Sequence, residues 1–293
     1  MPFFFREGLY NIDKAALEKK VNSKIFYGDV KNTVDDFVKI NKNNICCIFF
    51  DLEASALKLI DDDLFWKQIQ NSYPLEYINN QAYFYRSSFF VNQDVLIPRF
   101  ETELLVEKTL DAIKTTHKDQ IEIAEVGTGS FALGLSVLID SKKNLCFTGG
   151  DICEKALEVS NINLYRLSQK ISPQHKVRLL KSDRLDKFSN TYDIIISNPP
   201  YIREKEDIMG VHDQTLRYEP HKSLFLPDES FLSWFEDFFK QAYDKLNQGG
   251  VFLMEGHEDS LLHLEKIALK YFTNTRVDHD YTNRNRFLSC YKN

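Results

Sequence analysis

Apolar positions in the N-terminal part of the chain, residues 1–72, follow helical spacing. Asp13 and Thr33 each precede an amphipathic stretch, and their side chains are typical helix N-caps. Asn71-Ser72-Tyr73-Pro74 then combines residue types that end helices and form turns. The pattern therefore predicts a small all-helical N-terminal domain over residues 1–72.

After this boundary the pattern changes, and short apolar runs alternate with amphipathic stretches. The aromatic run from Tyr83 to Val91 predicts a short hairpin within a linker, which we place at residues 73–95. The alternation that follows predicts an α/β domain over residues 96–293, with an open, mostly parallel sheet and helices on both faces. The predicted strands are Ile121–Val126, Leu145–Gly149, Val177–Leu180, Ile194–Ser197 and Gly250–Glu255, followed by a last pair, Arg276–Tyr281 and Asn285–Tyr291. The predicted helices lie near Thr102–Ile113, Ala132–Ile139, Glu154–Leu167, Glu229–Leu246 and His257–Tyr271.

A glycine-rich turn follows the first predicted strand of this sheet. In Val126-Gly127-Thr128-Gly129-Ser130, the two glycines permit a tight strand-to-helix turn and close approach of a ligand to the backbone. Asp151 ends the second strand, where a carboxylate can accept both ribose hydroxyls of an adenosine. The pattern alone leaves two interpretations open, because Gly127 to Ala132 also satisfies the G-x-G-x-x-A fingerprint of dinucleotide-binding folds.

Charged residues around the turn favour one of these interpretations. A carboxylate at Glu125 would repel a pyrophosphate, but it suits the positive sulfonium and ammonium groups of S-adenosylmethionine. Asp183 and Arg184 follow the third strand, and Asp183 suits the adenine amino group; its alternative role is to cap a turn or helix. Glu125 therefore favours S-adenosylmethionine over a dinucleotide, and so does the motif Asn198-Pro199-Pro200-Tyr201, which ends the fourth strand beside the first.

The most informative motif is Asn198-Pro199-Pro200-Tyr201, which follows the fourth predicted strand. Both prolines fix φ at about −65° and lack an N–H, so the turn is stiff and rich in acceptors, with a flat aromatic face beside them. Such a turn suits a planar group that carries an NH2, either a carboxamide or a nucleobase amine. The tetrapeptide resembles the signature of methyltransferases that alkylate amide or exocyclic amino nitrogens.

Together these motifs resemble the glutamine methyltransferases of translation release factors, the HemK or PrmC family, over nearly the whole chain. Further stretches carry the resemblance: Pro74-Leu75-Glu76-Tyr77-Ile78, the specific run from Val95 to Glu107 (VLIPRFETELLVE), and Arg217-Tyr218-Glu219-Pro220. The resemblance implies a Rossmann-like class I S-adenosylmethionine methyltransferase domain, preceded by a helical domain that helps to grip the release factor.

The resemblance also implies a reaction and its residues. The methyl group of S-adenosylmethionine is transferred to the side-chain amide nitrogen of the glutamine in the Gly-Gly-Gln motif of class 1 release factors. Asn198 and the Pro199 carbonyl would hold this amide, with Pro200 and Tyr201 beside it, and Phe100 and Glu101 would shape the nearby wall. The expected cofactor-binding residues are Glu125, Gly127, Thr128, Gly129, Ser130, Phe131, Asp151, Asp183, Arg184 and Asn198.

The sequence departs from the family pattern at three places. Phe131 stands where glycine usually follows G-T-G-S, and we expect its side chain to narrow the methionine side of the cofactor pocket. Phe100 replaces the proline of R-P-E-T-E, and Met254-Glu255-Gly256-His257 replaces L-E-I-G. We interpret these two changes as repacking.

Composition and charge bear on the partners. The formal net charge is −6, which disfavours broad nonspecific binding to nucleic acid. The five cysteines include no Cys-x-x-Cys pair, so they indicate neither a disulfide framework nor a zinc site. No apolar stretch reaches the roughly 18 residues that span a bilayer. We expect a monomeric cytoplasmic protein with class 1 release factors as partners, and with no metal, membrane or direct nucleic-acid partner.

Two other functions stay open at this point. An N-methyltransferase acting on an adenine or cytosine amino group also uses N-P-P-Y, on a base flipped out of the duplex. It would need a target-recognition region and a basic face, which the sequence does not indicate. A noncatalytic adaptor that retains the fold is the second alternative, and the intact Asn198 and Asp151 argue against it.

Overall fold

The computed structural model describes Gln68 and residues 71–293. The helices predicted within residues 1–72 lie outside the described residues, apart from the last positions of that range. The chain divides into two compact units, Met1–Asn79 and Asn80–Asn293. The domain boundaries drawn from the sequence stay predictions.

Helix α1, Leu75–Asn79, belongs to the first unit. It begins directly after Pro74, whose carbonyl accepts hydrogen bonds from the backbone N–H groups of Tyr77 and Ile78 at 3.1 Å each. Proline suits the start of a helix because the N–H it lacks would have no partner there. The P-L-x-Y segment of the family pattern is thus a helix start.

The second unit is an α/β domain with a seven-stranded sheet. Its strands are β3 (Gln120–Val126), β4 (Asn144–Asp151), β5 (Lys176–Lys181), β6 (Tyr192–Ser197), β9 (Leu246–Glu255), β10 (Asn274–His279) and β11 (Asn285–Tyr291). Across the sheet their order is β10-β11-β9-β6-β3-β4-β5. Two short pairs stand outside this sheet, β1 (Ala82–Phe84) with β2 (Ser87–Phe89), and β7 (Ile202–Arg203) with β8 (Phe225–Leu226). The helices of this unit are α2 (Glu103–Thr115), α3 (Ala132–Asp140), α4 (Glu154–Leu167), α5 (Asp213–Tyr218), α6 (Phe231–Lys245) and α7 (Leu261–Ala268).

The sheet is parallel except at one edge. Strand β3 pairs in parallel with β4 and β6, and β4–β5 and β6–β9 are also parallel. Strand β11 runs antiparallel to both β9 and β10. The predicted parallel sheet and its antiparallel last pair are confirmed. Because β3, β4 and β6 are adjacent and parallel, the turns that follow them meet at one edge of the sheet.

Apolar side chains alternate between two cores, one on each face of the sheet. Along β6, which is buried at every position, Ile194 and Ile196 contribute to one core and Ile195 to the other. Helices α2 and α3 cover the first core, and α6 and α7 cover the second. This alternation explains why the central strands read as continuous apolar runs, since both of their faces are covered.

Aromatic residues fill the second core. Helix α6 buries Phe231, Phe235, Phe238 and Phe239, at the spacing of one helical face. The Phe238 ring meets Phe252 of β9 edge to face, with centroids 5.0 Å apart. Within the described part of the chain, every helix is too short or too polar to cross a membrane.

Candidate active site

The glycine turn between β3 and α3 folds as the sequence predicts. Gly127 and Gly129 have φ values of 75° and 51°, a left-handed conformation that glycine adopts at little cost. The N–H groups of Gly127 and Thr128 donate to the Gly150 carbonyl at 2.8 and 3.2 Å, which fixes the turn to the end of β4. From α4, the Ser160 hydroxyl donates to Gly129 O at 2.8 Å, and the Asn163 amide donates to Ser130 O at 2.9 Å.

Asp151 lies at the end of β4, directly beside this turn. Its carboxylate accepts hydrogen bonds from the backbone N–H groups of Gly129 and Cys153, both at 2.9 Å. Burial raises the pKa of Asp151, while these N–H groups act in the opposite direction. The carboxylate is therefore held in one orientation at the carboxyl end of the sheet.

Glu125 is buried behind the turn, with only 2% of its surface exposed. Burial and the nearby negative charge of Asp151 raise its pKa well above the ordinary value, while the backbone N–H of Gly134 opposes this shift. Its Oε2 atom finds no hydrogen-bond partner among the described residues. A Cβ atom on Gly134 would come within 2.2 Å of this oxygen, so glycine at that position makes room for the carboxylate. Two closely spaced carboxylates favour a positively charged ligand at this edge of the sheet.

Phe131 contradicts one expectation. Its backbone is left-handed, with φ 63° and ψ 22°, which explains why glycine is usual at this position. The ring, however, is completely buried in the core and lies 5.6 Å from the Phe147 ring between centroids. The expectation that this side chain narrows the cofactor pocket is therefore not supported, because the ring packs into the interior below the turn.

The Asn198-Pro199-Pro200-Tyr201 turn lies close to the glycine turn. The Ser197 hydroxyl donates to the Val126 carbonyl at 2.8 Å, which joins the ends of β6 and β3. A Cβ atom on Gly127 would lie 3.8 Å from the Asn198 carbonyl oxygen, so the backbones of the two turns lie close together there. The structure thus brings together the two motifs that the sequence places at opposite ends of a long segment.

Residues of the Asn198-Pro199-Pro200-Tyr201 turn also line a cleft of about 230 Å³. Leu96, Arg99, Asn198, Pro199, Tyr201 and His257 are among its lining residues. One wall is held by Glu219, whose carboxylate pairs with Arg99 at 2.6 Å and accepts from the Ile97 N–H at 3.0 Å. This contact explains two stretches of the family pattern, because it connects the I-P-R segment to the Y-E-P segment.

Hydrogen bonds connect the Asn198 side chain to the interior. The Asn198 amide donates to the Thr102 hydroxyl oxygen at 3.0 Å, and the Thr102 hydroxyl donates to Glu255 Oε2 at 2.6 Å. The Tyr201 hydroxyl donates to Glu255 Oε1 at 3.0 Å. Glu101 lies near enough for its negative charge to raise the pKa of Glu255.

The remaining predicted residues lie at the edges of this site. Asp183 is half exposed and pairs with Arg184, whose guanidinium lies over the Trp234 ring of α6. Arg184 thus contacts both Asp183 and helix α6. The Phe100 side chain is 70% exposed, so the interpretation of this residue as a repacking change is wrong.

Sequence reasoning missed four residues of the site: Arg99, Thr102, Glu219 and Glu255. Arg99, Thr102 and Glu219 stand in stretches that carry the family resemblance, and Glu255 stands in the Met254-Glu255-Gly256-His257 segment that departs from it. The motifs do not indicate which of these residues contact each other. Arg99 pairs with Glu219, and Thr102 donates a hydrogen bond to Glu255, both across large sequence separations. Apolar periodicity is local and does not report such contacts.

The family comparison agrees with this geometry. Residues 100–220 match the family model described as the methyltransferase small domain. Together with the sheet order and the glycine turn, the match defines an S-adenosylmethionine-dependent methyltransferase with the predicted Rossmann-like class I fold.

Relatives narrow the class further, and each of the following is named release factor glutamine methyltransferase. The Chlorobaculum tepidum protein is 30% identical over 74% of this chain and 74% of its own length. The Leptospira interrogans protein is 34% identical over 73% of each chain. The Flavobacterium psychrophilum protein is 30% identical over 81% of this chain and 82% of its own. The chain belongs to the release factor glutamine methyltransferase family.

One of the solved structures that match this chain is more distant in sequence. The T. thermophilus 16S rRNA N2 G1207 methyltransferase, solved in complex with AdoMet and guanosine, is 16% identical with a TM-score of 0.49. The match covers 73% of this chain and 50% of that chain.

Proposed function

We propose that this protein transfers a methyl group from S-adenosylmethionine to the side-chain amide nitrogen of the glutamine in the Gly-Gly-Gln motif of class 1 release factors. The observation that carries the proposal is the position of Asn198, whose carbonyl lies close to the glycine turn and which also lines the cleft. An acceptor-rich turn between a cofactor edge and a substrate cleft is the arrangement that N-methylation of an amide requires.

The residues at the sheet edge fit S-adenosylmethionine. The glycine turn offers backbone that a ligand can approach closely. Asp151 would accept the ribose hydroxyls, and Asp183 would receive the adenine amino group. The unpaired oxygen of Glu125, next to Asp151, suits the positive charge of the sulfonium and ammonium groups. When bound, this cofactor supplies an electrophilic methyl group on sulfur.

The cleft side fits an amide. An amide nitrogen is a weak nucleophile because its lone pair is delocalised into the carbonyl. The Asn198 side-chain oxygen and the Pro199 carbonyl would accept its two N–H groups, and so favour positive charge on nitrogen during attack. Alignment of the reacting atoms supplies the other advantage, worth up to roughly 7–11 kcal/mol in ideal cases. A strong base is not needed before attack, because the methylated nitrogen is far more acidic than the starting amide.

The surface around the cleft supports a protein substrate. Phe100 is 70% exposed beside Arg99 and Glu101, and Met209, next to the cleft-lining Gly210, is 92% exposed. These two apolar side chains are exposed close to the cleft and are accessible to a protein substrate. We infer that a release factor loop contacts this rim, that residues 1–72 add further contacts, and that the protein acts as a monomer in the cytoplasm.

Methyl transfer from labelled S-adenosylmethionine to a purified class 1 release factor tests the proposal. Peptide mapping should place the label on the glutamine of the Gly-Gly-Gln motif. A release factor in which this glutamine is alanine should remain unlabelled, and so should duplex and single-stranded DNA. Labelling of DNA and not of the release factor would contradict the proposal and favour the nucleobase alternative.

A further inference from the structure

The orientation of the Asn198 side chain is set by residues outside the Asn-Pro-Pro-Tyr turn. Thr102 precedes α2 and Glu255 ends β9, and both are almost fully buried, with 5% and 1% of their surface exposed. Their hydrogen bonds follow one another: the Asn198 amide donates to the Thr102 hydroxyl oxygen, and the Thr102 hydroxyl donates to the Glu255 carboxylate.

These hydrogen bonds have only one possible donor-to-acceptor direction as long as Glu255 is ionised. A carboxylate can only accept, so the single hydroxyl proton of Thr102 points to Glu255. The Thr102 oxygen can then only accept from Asn198, so it receives the NH2 group and not the carbonyl oxygen of the amide. The Asn198 oxygen must therefore face away from Thr102.

This direction matters because the two ends of an asparagine amide have nearly the same shape. Without the Thr102 contact the side chain could rotate by half a turn and present its NH2 group to the cleft. A donor would then face the NH2 group of the substrate, and both groups would lose their hydrogen bonds.

Glu255 is supported as an acceptor by two further groups. The Tyr201 hydroxyl donates to its other oxygen at 3.0 Å, and burial keeps the pKa of Tyr201 well above its ordinary value, so the tyrosine stays a donor. The positive charge of Arg286 lowers the pKa of Glu255, although burial raises it overall. Each oxygen of the carboxylate thus has a hydroxyl donor.

We propose that Thr102 and Glu255 are positioning residues that hold the Asn198 side-chain oxygen toward the cleft, so that the site selects a substrate group with two N–H donors. The inference rests on the proposed function and deepens it. It explains how the site accepts a carboxamide and rejects a carboxylate of the same shape, since a glutamate side chain would bring an acceptor against the Asn198 oxygen. Neither residue touches the substrate; both act through Asn198.

Thr102→Val is the sharpest test, because valine keeps the shape and removes the hydroxyl. We expect kcat for release factor methylation to fall about 10- to 100-fold, since small misplacements of a reacting group can cost about 10²-fold. The Kd for S-adenosylmethionine should stay near the wild-type value. Thr102→Ser restores the hydroxyl and should recover most of the lost kcat.

Two further variants keep the test decisive. Thr109→Val, in the helix α2 that Thr102 precedes, removes a buried hydroxyl that donates to Leu105 O and should leave kcat unchanged. Glu255→Gln keeps the shape of the carboxylate. Because Tyr201 donates to one end of this group, the glutamine NH2 would face Thr102 and donate to its hydroxyl oxygen. The direction of the hydrogen bonds from Asn198 to residue 255 would then be reversed. We expect the kcat of this variant to fall by about as much as that of Thr102→Val. The variant therefore still tests the inference if Thr102→Val fails to fold.

The outcomes separate this inference from the proposed function. A wild-type enzyme that labels no release factor would remove both. A second outcome is an active wild type together with a folded Thr102→Val or Glu255→Gln variant that methylates the release factor at the wild-type rate. In that case only the positioning role is wrong. A folded Thr102→Ser variant as slow as Thr102→Val would also overturn it, because loss of the hydroxyl would not be the cause.

Discussion

At the scale of single residues, Phe131 combines a backbone suited to glycine with a side chain suited to the core. A left-handed conformation costs a residue other than glycine about 1–3 kcal/mol. A buried phenylalanine contributes about 3–5 kcal/mol relative to alanine. The packing gain against Phe147 exceeds the backbone strain, which explains how phenylalanine is tolerated in the glycine turn.

This balance predicts an unusual order of stability for two variants. Both Phe131→Ala and Phe131→Gly lose the ring, but only glycine relieves the left-handed backbone at φ 63°. We expect Phe131→Gly to be more stable than Phe131→Ala by about 1 kcal/mol, although both are less stable than the wild type. Urea unfolding of the three proteins measures the difference. An alanine variant at least as stable as the glycine variant would show that the backbone is not strained there.

Single residues also show the limit of sequence reasoning at this site. Gly127, Gly129 and Asp151 could be predicted because each follows a strand with a strong apolar pattern. The Asn198 turn could be predicted from its two prolines. Thr102 could not, since a threonine before a helix reads as an ordinary N-cap. Its side chain makes no cap hydrogen bond and instead contacts Glu255 and Asn198.

At the scale of elements, long patterns were predicted well, and the short hairpin of β1 and β2 was also predicted, whereas the shortest strands were missed. The helix predicted at Glu229–Leu246 is α6, Phe231–Lys245, because its apolar face spans the full length of the segment. Strands β7 and β8 have two residues each, too few to show a period. Strand β9 begins four residues before the predicted Gly250, since Leu246 already pairs with Tyr192 of β6.

The turn between β10 and β11 depends on one carboxylate. Asp280 accepts from the Thr282 N–H and hydroxyl at 2.8 and 2.6 Å, from the Arg284 N–H at 3.2 Å and from Arg286 Nε at 3.0 Å. Although burial acts to raise the pKa of Asp280, these hydrogen bonds hold it well below the ordinary value of 3.8. The ionised form is therefore the one that stabilises the folded hairpin.

Asp280→Asn should destabilise the protein by about 1.5–3 kcal/mol near neutral pH, the range for a hydrogen bond to a charged group. A group whose pKa is lowered on folding contributes stability above its unfolded pKa and loses it as the pH falls through the folded value. The difference between wild type and variant should therefore shrink as the pH falls below 3.8. Urea unfolding across this range is the measurement, and a difference independent of pH would contradict the role of the charge.

At the scale of the whole molecule, the residues of the candidate active site lie in one part of the chain, and we propose that part of the recognition of a protein partner lies in another. The glycine turn, Asp151 and the Asn198 turn all lie within the unit Asn80–Asn293. The fold of this unit could be predicted because its helix and strand patterns alternate regularly. The way a release factor docks could not, since it depends on a second protein.

Deletion of residues 1–72 should therefore separate recognition from chemistry. We expect the KM for the release factor to rise, while the Kd for S-adenosylmethionine stays near that of the full chain. The turnover of a short peptide containing Gly-Gly-Gln serves as the control, because it depends on the cleft alone and should change little. Equal efficiency of the two proteins on intact release factor would show that residues 1–72 do not contribute to recognition.

The most direct test of the account compares cofactor binding with turnover in Asn198 variants. Asn198→Ala removes the acceptor without adding charge, and Asn198→Asp keeps the shape but replaces the donor to Thr102 with an acceptor. We expect both to bind S-adenosylmethionine about as the wild type does, yet to methylate the release factor about 10²–10³-fold more slowly, as when a preorganised contact is lost. Near-normal turnover of Asn198→Ala would contradict the central claim, because the Asn-Pro-Pro-Tyr turn would then be only structural.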